Sequence, residues 1–353
     1  MRLVSSEVTV GRAVDWAFAG TVGAWLARPG PPATDYTRSQ AIDELATAAR
    51  KAEAPVREIT RLGGDAPVPD ARIVDRQGWI RAASDSMRVM TGGTHSPSNA
   101  VTGRVTGAQT GAVLAFISSG ILGQYDPFAD TQDTDAGLLL LVYPNIIAVE
   151  RQLRVSPADF RLWVCLHEVT HRVQFSANPW LAQHMSQALA VLTSDTADDV
   201  TQVVGRLADF VNDRRKGAAR GPNESGILGL MRAVQSEPQQ AALDQLLVLG
   251  TLLEGHADHV MDAVGPAVVP SVQSIRTRFD QRRQRKQPPL ARLLRALLGV
   301  DAKLSQYTRG KAFVDHVVDR VGMDRFNTVW TGPHTLPLPD EIEDPQRWID
   351  RVL

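Results

Sequence analysis

Cysteine is almost absent from this chain: one, Cys165, in 353 residues. A lone thiol cannot close an internal disulfide, so the core must hold the fold, and a reducing compartment, the cytoplasm, is expected. Placed between Val164 and Leu166, Cys165 reads as a small core residue rather than a ligand. Charge of one sign is lacking too. Against 38 lysines and arginines stand 39 aspartates and glutamates, a formal net charge of −1. That gives no global reason to expect nucleic acid or a membrane as partner. No run approaches the roughly 20 apolar residues of a membrane span. The apolar stretch 13–26 contains Asp15 and lacks a strong basic leader and a cleavage motif, so it reads as an amphipathic helix and not a signal peptide. No internal repeat is visible. The chain is long enough to bury a large core and to divide into two or three lobes.

The most informative feature is His167-Glu168-Val169-Thr170-His171. H-E-x-x-H is the spacing at which one helical turn offers two imidazoles to a zinc ion, with the adjacent glutamate placed as a general base. The flanks are those of a helix. Ser156 is a cap, Pro157 takes the first helical position and Asp159 the third, a combination that starts helices. From there Phe160, Trp163, Val164, His167 and His171 fall on one stripe that packs inward. Glu168 stands about 100 degrees around from His167. Two core histidines bonded to backbone would be the bland alternative. Two imidazoles on an apolar stripe need partners, and a shared cation supplies one to both.

A catalytic zinc takes three protein ligands and keeps one open position. Residues 246–261, LLVLGTLLEGHADHVM, carry the third candidate. Glu254 and Asp258 are four apart on a helical stripe with Leu246, Leu247, Gly250, Leu253, Ala257 and Met261. His256 lies about 200 degrees from Glu254 and His259 about 140 degrees. Geometry therefore favours Glu254 as ligand, with His256 or His259 remaining only if the helix kinks. Asp258 is placed to accept the free N–H of a ligating imidazole, and Gly250 is expected to let two helices approach.

H-E-x-x-H followed by E-x-x-x-D (Glu254 to Asp258) resembles the ligand pattern of the gluzincin metallopeptidases. More closely, the chain resembles zincin-like hydrolases associated with deazaflavin coenzyme biosynthesis. The matching blocks are GQYDPF at 123–128, LLLLVYPNI at 138–146, DFRLWVCLHEVTHRVQF at 159–175, LEGHADHVMDAVG at 253–265, QYTRGKAFV at 306–314 and the closing DPQRWIDRV. The resemblance implies a zincin-like metallopeptidase fold, predominantly helical α+β with a small sheet packed on the active-site helix. It implies Zn2+ held by His167, His171 and Glu254, Glu168 as general base, and Asp258 orienting a ligand histidine, His167. The chain departs from compact gluzincins in the spacing of about 80 residues between His171 and Glu254. The name of the family does not identify a substrate.

Composition divides the chain into an N-terminal helical region (1–100), a catalytic core (101–275) and a C-terminal helical region closing the cleft (276–353). Helices are expected over 40–61 and 72–91, a loop at 92–99, a turn-rich segment at 123–127 and one or two helices over 181–210. Residues 138–143 read as a buried strand, and a sheet edge beside the active helix would suit an extended peptide. Within 123–127, Tyr125 and Asp126 are candidates for the cleft, with a structural turn preferred. Glycine-rich 216–229 reads as a loop or lid. The six basic residues of 276–286 read as a solvated helix face more readily than as a site for an acidic partner. Tyr307, in the matching QYTRG block, is a candidate oxyanion donor, ahead of Arg309, His316 and His334.

The chemistry expected is hydrolysis of a peptide or small amide substrate, Glu168 taking the proton of the attacking water and returning it to the leaving amine. Two alternatives stand beside it: a zinc hydrolase of a non-peptide amide, and a non-catalytic binding or scaffold protein that keeps the shell of the fold.

Overall fold

The computed structural model describes residues 10–63, 69–93, 97, 99–129, 137–193, 236–284 and 300–353, without the side chains of 10, 193, 283, 284 and 300–308. The loop-or-lid expectation at 216–229, most of the helical expectation beyond residue 193, and the end of the basic run (285–286) lie outside these residues.

The apolar run at 138–142 becomes the middle strand of a three-stranded sheet. Strands β1 (Arg72–Val74), β2 (Gly123–Asp126) and β3 (Leu138–Val142) stand in the order β1-β3-β2. β1 runs parallel to β3, with Ile73 opposite Leu141; β2 runs antiparallel, with Gly123 opposite Leu141 and Tyr125 opposite Leu139. Two expectations are corrected here. Arg72–Val74 is strand, and the helix expected over 72–91 begins only after the Asp75 cap, whose carboxylate accepts from Gly78 N at 2.7 Å. The segment expected as a turn, 123–127, is mostly strand. Both errors have one cause: a three- or four-residue strand is specified by its partner far along the chain, not by its own periodicity. Because β3 is central, the edge nearer the helix of the H-E-x-x-H motif belongs to β2, and no described strand pairs with it.

Helices surround the sheet. α1 (Trp16–Leu26) is capped by Asp15, which accepts from Phe18 N at 3.0 Å, and ends before the Pro29–Pro32 segment. α2 (Asp35–Thr60) starts five residues ahead of the expected helix because Thr34 caps it. α3 (Arg76–Met90) and α4 (Ala100–Ile117) follow. Gly107 and Gly111 of α4 abut α1: a Cβ there would fall 2.6 Å from Asp15 O and 2.5 Å from Ala19 O.

α5 (Tyr143–Leu153) leaves β3 directly, with Pro144 in its first turn. α6 (Pro157–Ala177) carries the H-E-x-x-H motif and is capped by Ser156, as expected. It is buried on nearly every side, not along one stripe. Phe160, Trp163, Val164, Cys165, Leu166, Val169 and Val173 are all core. Its two buried arginines are each paired. Arg161 donates to Glu150 at 2.8 and 3.0 Å and to Glu44, while Arg172 bonds Glu53 and the Pro69 carbonyl. A buried guanidinium is tolerated only with such partners.

α7 (Trp180–Thr193), α8 (Glu237–Ala263), α9 (Val272–Gln284), α10 (Val300–Val321) and α11 (Pro345–Val352) complete the longer helices. The hydrophobic cores cross the composition-based boundaries. One joins residues 45–56 of α2 to β3, α6 and residues 260–275; another joins Phe175 and α8 to Phe313, Phe326 and Trp348. The described part of the basic run is bound back to the fold: Arg276 to Asp258 and Asp262, Arg278 to the Leu153 and Arg154 carbonyls, and Arg282 to Gln152. Among the described residues no helix is long and apolar enough to cross a membrane.

Candidate metal centre

α6 and α8 lie against one another, and their contact brings His167, His171 and Glu254 together. Nε2 of His167 stands 3.3 Å from Nε2 of His171, 3.4 Å from Oε2 of Glu254, and the His171–Glu254 separation is 3.8 Å. Ligands placed 2.0–2.1 Å from a tetrahedral zinc stand about 3.3–3.4 Å from one another. Two of the three separations match the edge of such a tetrahedron and the third, at 3.8 Å, is longer; two imidazoles with a carboxylate are a donor set zinc accepts. Among the described residues this is the one group of three or more His, Cys, Asp or Glu side chains close enough to hold a metal ion. The neighbouring histidines of α8 are elsewhere. His259 pairs with Asp315 at 2.7 Å, and His256 is fully buried behind the site.

The centre favours positive charge. Burial by itself lowers the basicity of His167. The hydrogen bond to Glu254, the nearby Glu168 and the charges of Glu254 and Asp258 outweigh burial and push it up to about 9. Asp258 is buried, and its carboxylate accepts from Arg276 Nη1 at 2.9 Å. Its bond is thus to a guanidinium, and it acts on His167 through its charge.

Glu168 is buried under β2. The backbone of Gly123 presses on it so closely that a Cβ at 123 would fall 2.7 Å from Glu168 Cδ. Helix approach is also secured by glycine, though not by the one expected. Among the described residues nothing lies within 4 Å of a Cβ built at Gly250, whereas one at Gly255 would meet the Gly310 carbonyl carbon at 2.1 Å. The close crossing is thus between α8 and α10.

Gln174, which sequence reasoning did not single out, is completely buried. Its Oε1 accepts from His171 Nδ1 at 2.9 Å, and its Nε2 donates to Leu253 O and His256 Nδ1, both at 3.0 Å. The available signal was its place three residues after His171, on the same side of the helix. Burial, with His259 and His171 nearby, lowers His256 to about 3, so its ring is neutral.

His167, Glu168, His171, Glu254 and Asp258 all line one cavity of about 590 Å³. All four residues of β2 line it. Much of the remaining wall is apolar, with Trp79, Met87, Met90, Leu114, Ile117 and Phe128. Tyr125 and Asp126 both line it too, from a strand and not a turn. Asp126 is buried, and burial raises its carboxyl against the hydrogen bonds from Ser86 and Phe128 N. Burial likewise pushes the Tyr125 hydroxyl up to about 12, so it stays protonated. Tyr307 falls in α10, but its side chain lies outside the described residues. Arg309 pairs with Glu343 at 2.6 Å, and neither it nor His316 nor His334 lines the cavity.

No curated protein is significantly similar to this chain. Among solved structures it is similar to the crystal structure of a candidate hydrolase with a novel fold from Chloroflexus aurantiacus. The identity is 28%, the TM-score 0.65, and the match covers 96% of this chain and 98% of that one. A family model for zincin-like metallopeptidases matches residues 14–349, nearly the whole sequence and every residue of the centre. The chain therefore belongs to the zincin-like metallopeptidase family.

Proposed function

We propose that this protein is a zinc-dependent hydrolase that cleaves a peptide bond or a related amide. The observation that carries the reading is the triangle of His167, His171 and Glu254 on the wall of a substrate-sized cavity, with Glu168 held beside it. Zinc bound by these three side chains would polarise the scissile carbonyl and bring the pKa of a water toward about 7. Glu168 accepts the proton of the attacking water and returns it to the leaving nitrogen. Gly123 keeps that carboxylate from swinging away. Asp258, neutralised in part by Arg276, adds negative charge beside His167 without competing as a ligand.

The substrate reading rests on β2. One of its edges pairs with β3, no described strand pairs with the other, and all four of its residues line the cavity. An extended peptide can add to such an edge through its backbone, sending alternate side chains to opposite faces. One face leads to the metal centre and the other to the chamber of Trp79, Met87, Met90, Leu114 and Ile117. A bulky apolar side chain next to the cleaved bond suits that chamber, and a charged one does not. The single buried thiol supports a reducing, cytoplasmic setting.

The test is Glu168→Gln, assayed on a peptide library with a chelator control. Zinc should stay bound while turnover falls by about 10²–10⁴-fold, and cleavage in the native protein should favour apolar residues and stop on chelation. A native rate in Glu168→Gln would remove Glu168 as the base. Hydrolysis of small amides with no cleavage of any peptide would redirect the reading to a non-peptide substrate.

A further inference from the structure

We infer that Gln174 is a positioning residue that fixes the tautomer of His171 and ties that ring to the backbone carrying Glu254. The inference rests on the metal-centre reading above and extends it to a residue outside the ligand set.

The orientation of the Gln174 carboxamide is decided by chemistry. Leu253 O is a backbone carbonyl and can only accept. The amide nitrogen must therefore face it, at 3.0 Å. A flipped amide would set two acceptors against each other in a site where Gln174 is fully buried, leaving buried polar groups unmatched. With the nitrogen so placed, Oε1 faces His171 Nδ1 at 2.9 Å and accepts from it. Nδ1 of His171 then carries the hydrogen, and the lone pair is left on Nε2, the atom that points at His167 and Glu254. A free imidazole has no such obligation and distributes its proton between the two nitrogens.

His256 closes the arrangement. The second hydrogen of the Gln174 amide points at its Nδ1, at 3.0 Å, so that atom serves as acceptor. The His256 ring packs against Phe326 and Trp330, with centroids 5.4 Å from each. His256 is thus no ligand, yet it helps hold the amide that aims one. Leu253 immediately precedes Glu254, so a single carboxamide spans from the second imidazole to the chain segment of the third ligand. Glutamate at 174 would keep the bond to His171 but has no hydrogen for Leu253 O or His256. Methionine keeps the volume and loses all three bonds.

Two measurements on the full chain decide the matter. The first is the imidazole 15N spectrum of histidine-labelled wild-type protein without metal, with His171 assigned by substitution. His171 should be the Nδ1–H tautomer, and an Nε2–H tautomer would overturn the inference, whether or not the protein binds metal. The second is titration with Co2+ and Zn2+. Gln174→Met and Gln174→Glu should bind each about 10–100-fold more weakly than wild type, with a weakened cobalt visible absorption and unchanged far-ultraviolet circular dichroism. Wild-type affinity in folded Gln174→Met would overturn it. If the variants do not fold, the wild-type tautomer decides alone. Failure of the wild-type protein to bind either ion would sink the metal-centre reading and leave the tautomer result standing.

Discussion

The backbone of Gly123 rests on the side chain of Glu168, so that a Cβ at position 123 would lie 2.6 Å from Glu168 Cγ. A strand of the sheet and a carboxylate of the central helix thus share a space with no room for one more methyl. Gly123→Ala should shift the Glu168 carboxylate while leaving His167, His171 and Glu254 in place. Misplacing a catalytic group by about 1 Å costs on the order of 100-fold, so kcat/KM should fall by about that factor with zinc affinity unchanged. Equal loss of metal and activity would mean that the sheet, and not Glu168 alone, had moved.

His171→Ala removes one of three donors and should abolish both zinc binding and activity, in contrast to Glu168→Gln. Thermal melting separates the two without a substrate. Zinc at about 100 times its Kd should stabilise native protein and Glu168→Gln by about 2.7 kcal/mol. His171→Ala should show no zinc-dependent rise in Tm.

Gly255 and Gly250 sit on one helix and should respond in opposite directions. A Cβ at 255 meets the backbone of Gly310 at 2.1 Å, which cannot give way, whereas one at 250 meets none of the described residues within 4 Å. Gly255→Ala should destabilise by about 1–3 kcal/mol or more and, through the adjacent Glu254, weaken zinc binding. Gly250→Ala should stabilise the helix by about 0.5–1 kcal/mol. Denaturant midpoints at constant m test both.

Glu341 supplies an acid-sensitive contact far from the centre. Burial favours its neutral form, but the two-point bond from Arg351, at 2.6 and 2.8 Å, and the Leu338 N–H hold its pKa below the usual range. A carboxylate with a depressed folded pKa contributes stability above its unfolded pKa and loses it as pH falls through the folded value. Arg351→Met should remove that contribution. The cost is about 1–3 kcal/mol at neutral pH, below the range for a fully buried pair because Arg351 is about a third exposed. The gap between the two stability curves should therefore narrow from neutral pH into the acid range, leaving the part due to the Arg351 bonds to His334 O and Leu336 O. Parallel curves would show that the pair contributes nothing.

Much of this centre was legible in the linear chain because helices are local. His167 and His171 share a face by a spacing of four, Ser156 and Pro157 mark where their helix starts, and the angle between Glu254 and His256 separates the candidate ligand from its neighbour before any fold is known. The resemblance of whole blocks extended that reading to the fold class. The short strands were not legible. Arg72–Val74 and Gly123–Asp126 have too few residues for a period, and each is strand only because Leu138–Val142 stands beside it.

What the sequence determined by itself was the set of groups available: two imidazoles one turn apart, a glutamate between them, and an acidic pair on another helix. Tertiary structure alone decided which groups meet across about 80 residues of chain. It gave the close crossing to Gly255 instead of Gly250, turned Asp258 toward Arg276, laid Gly123 on Glu168, and placed Gln174 between His171 and His256. Local spacing sets which face of an element a side chain occupies. What covers that face depends on the packing of elements distant in sequence, where a single missing methyl or one fixed carbonyl determines the partner.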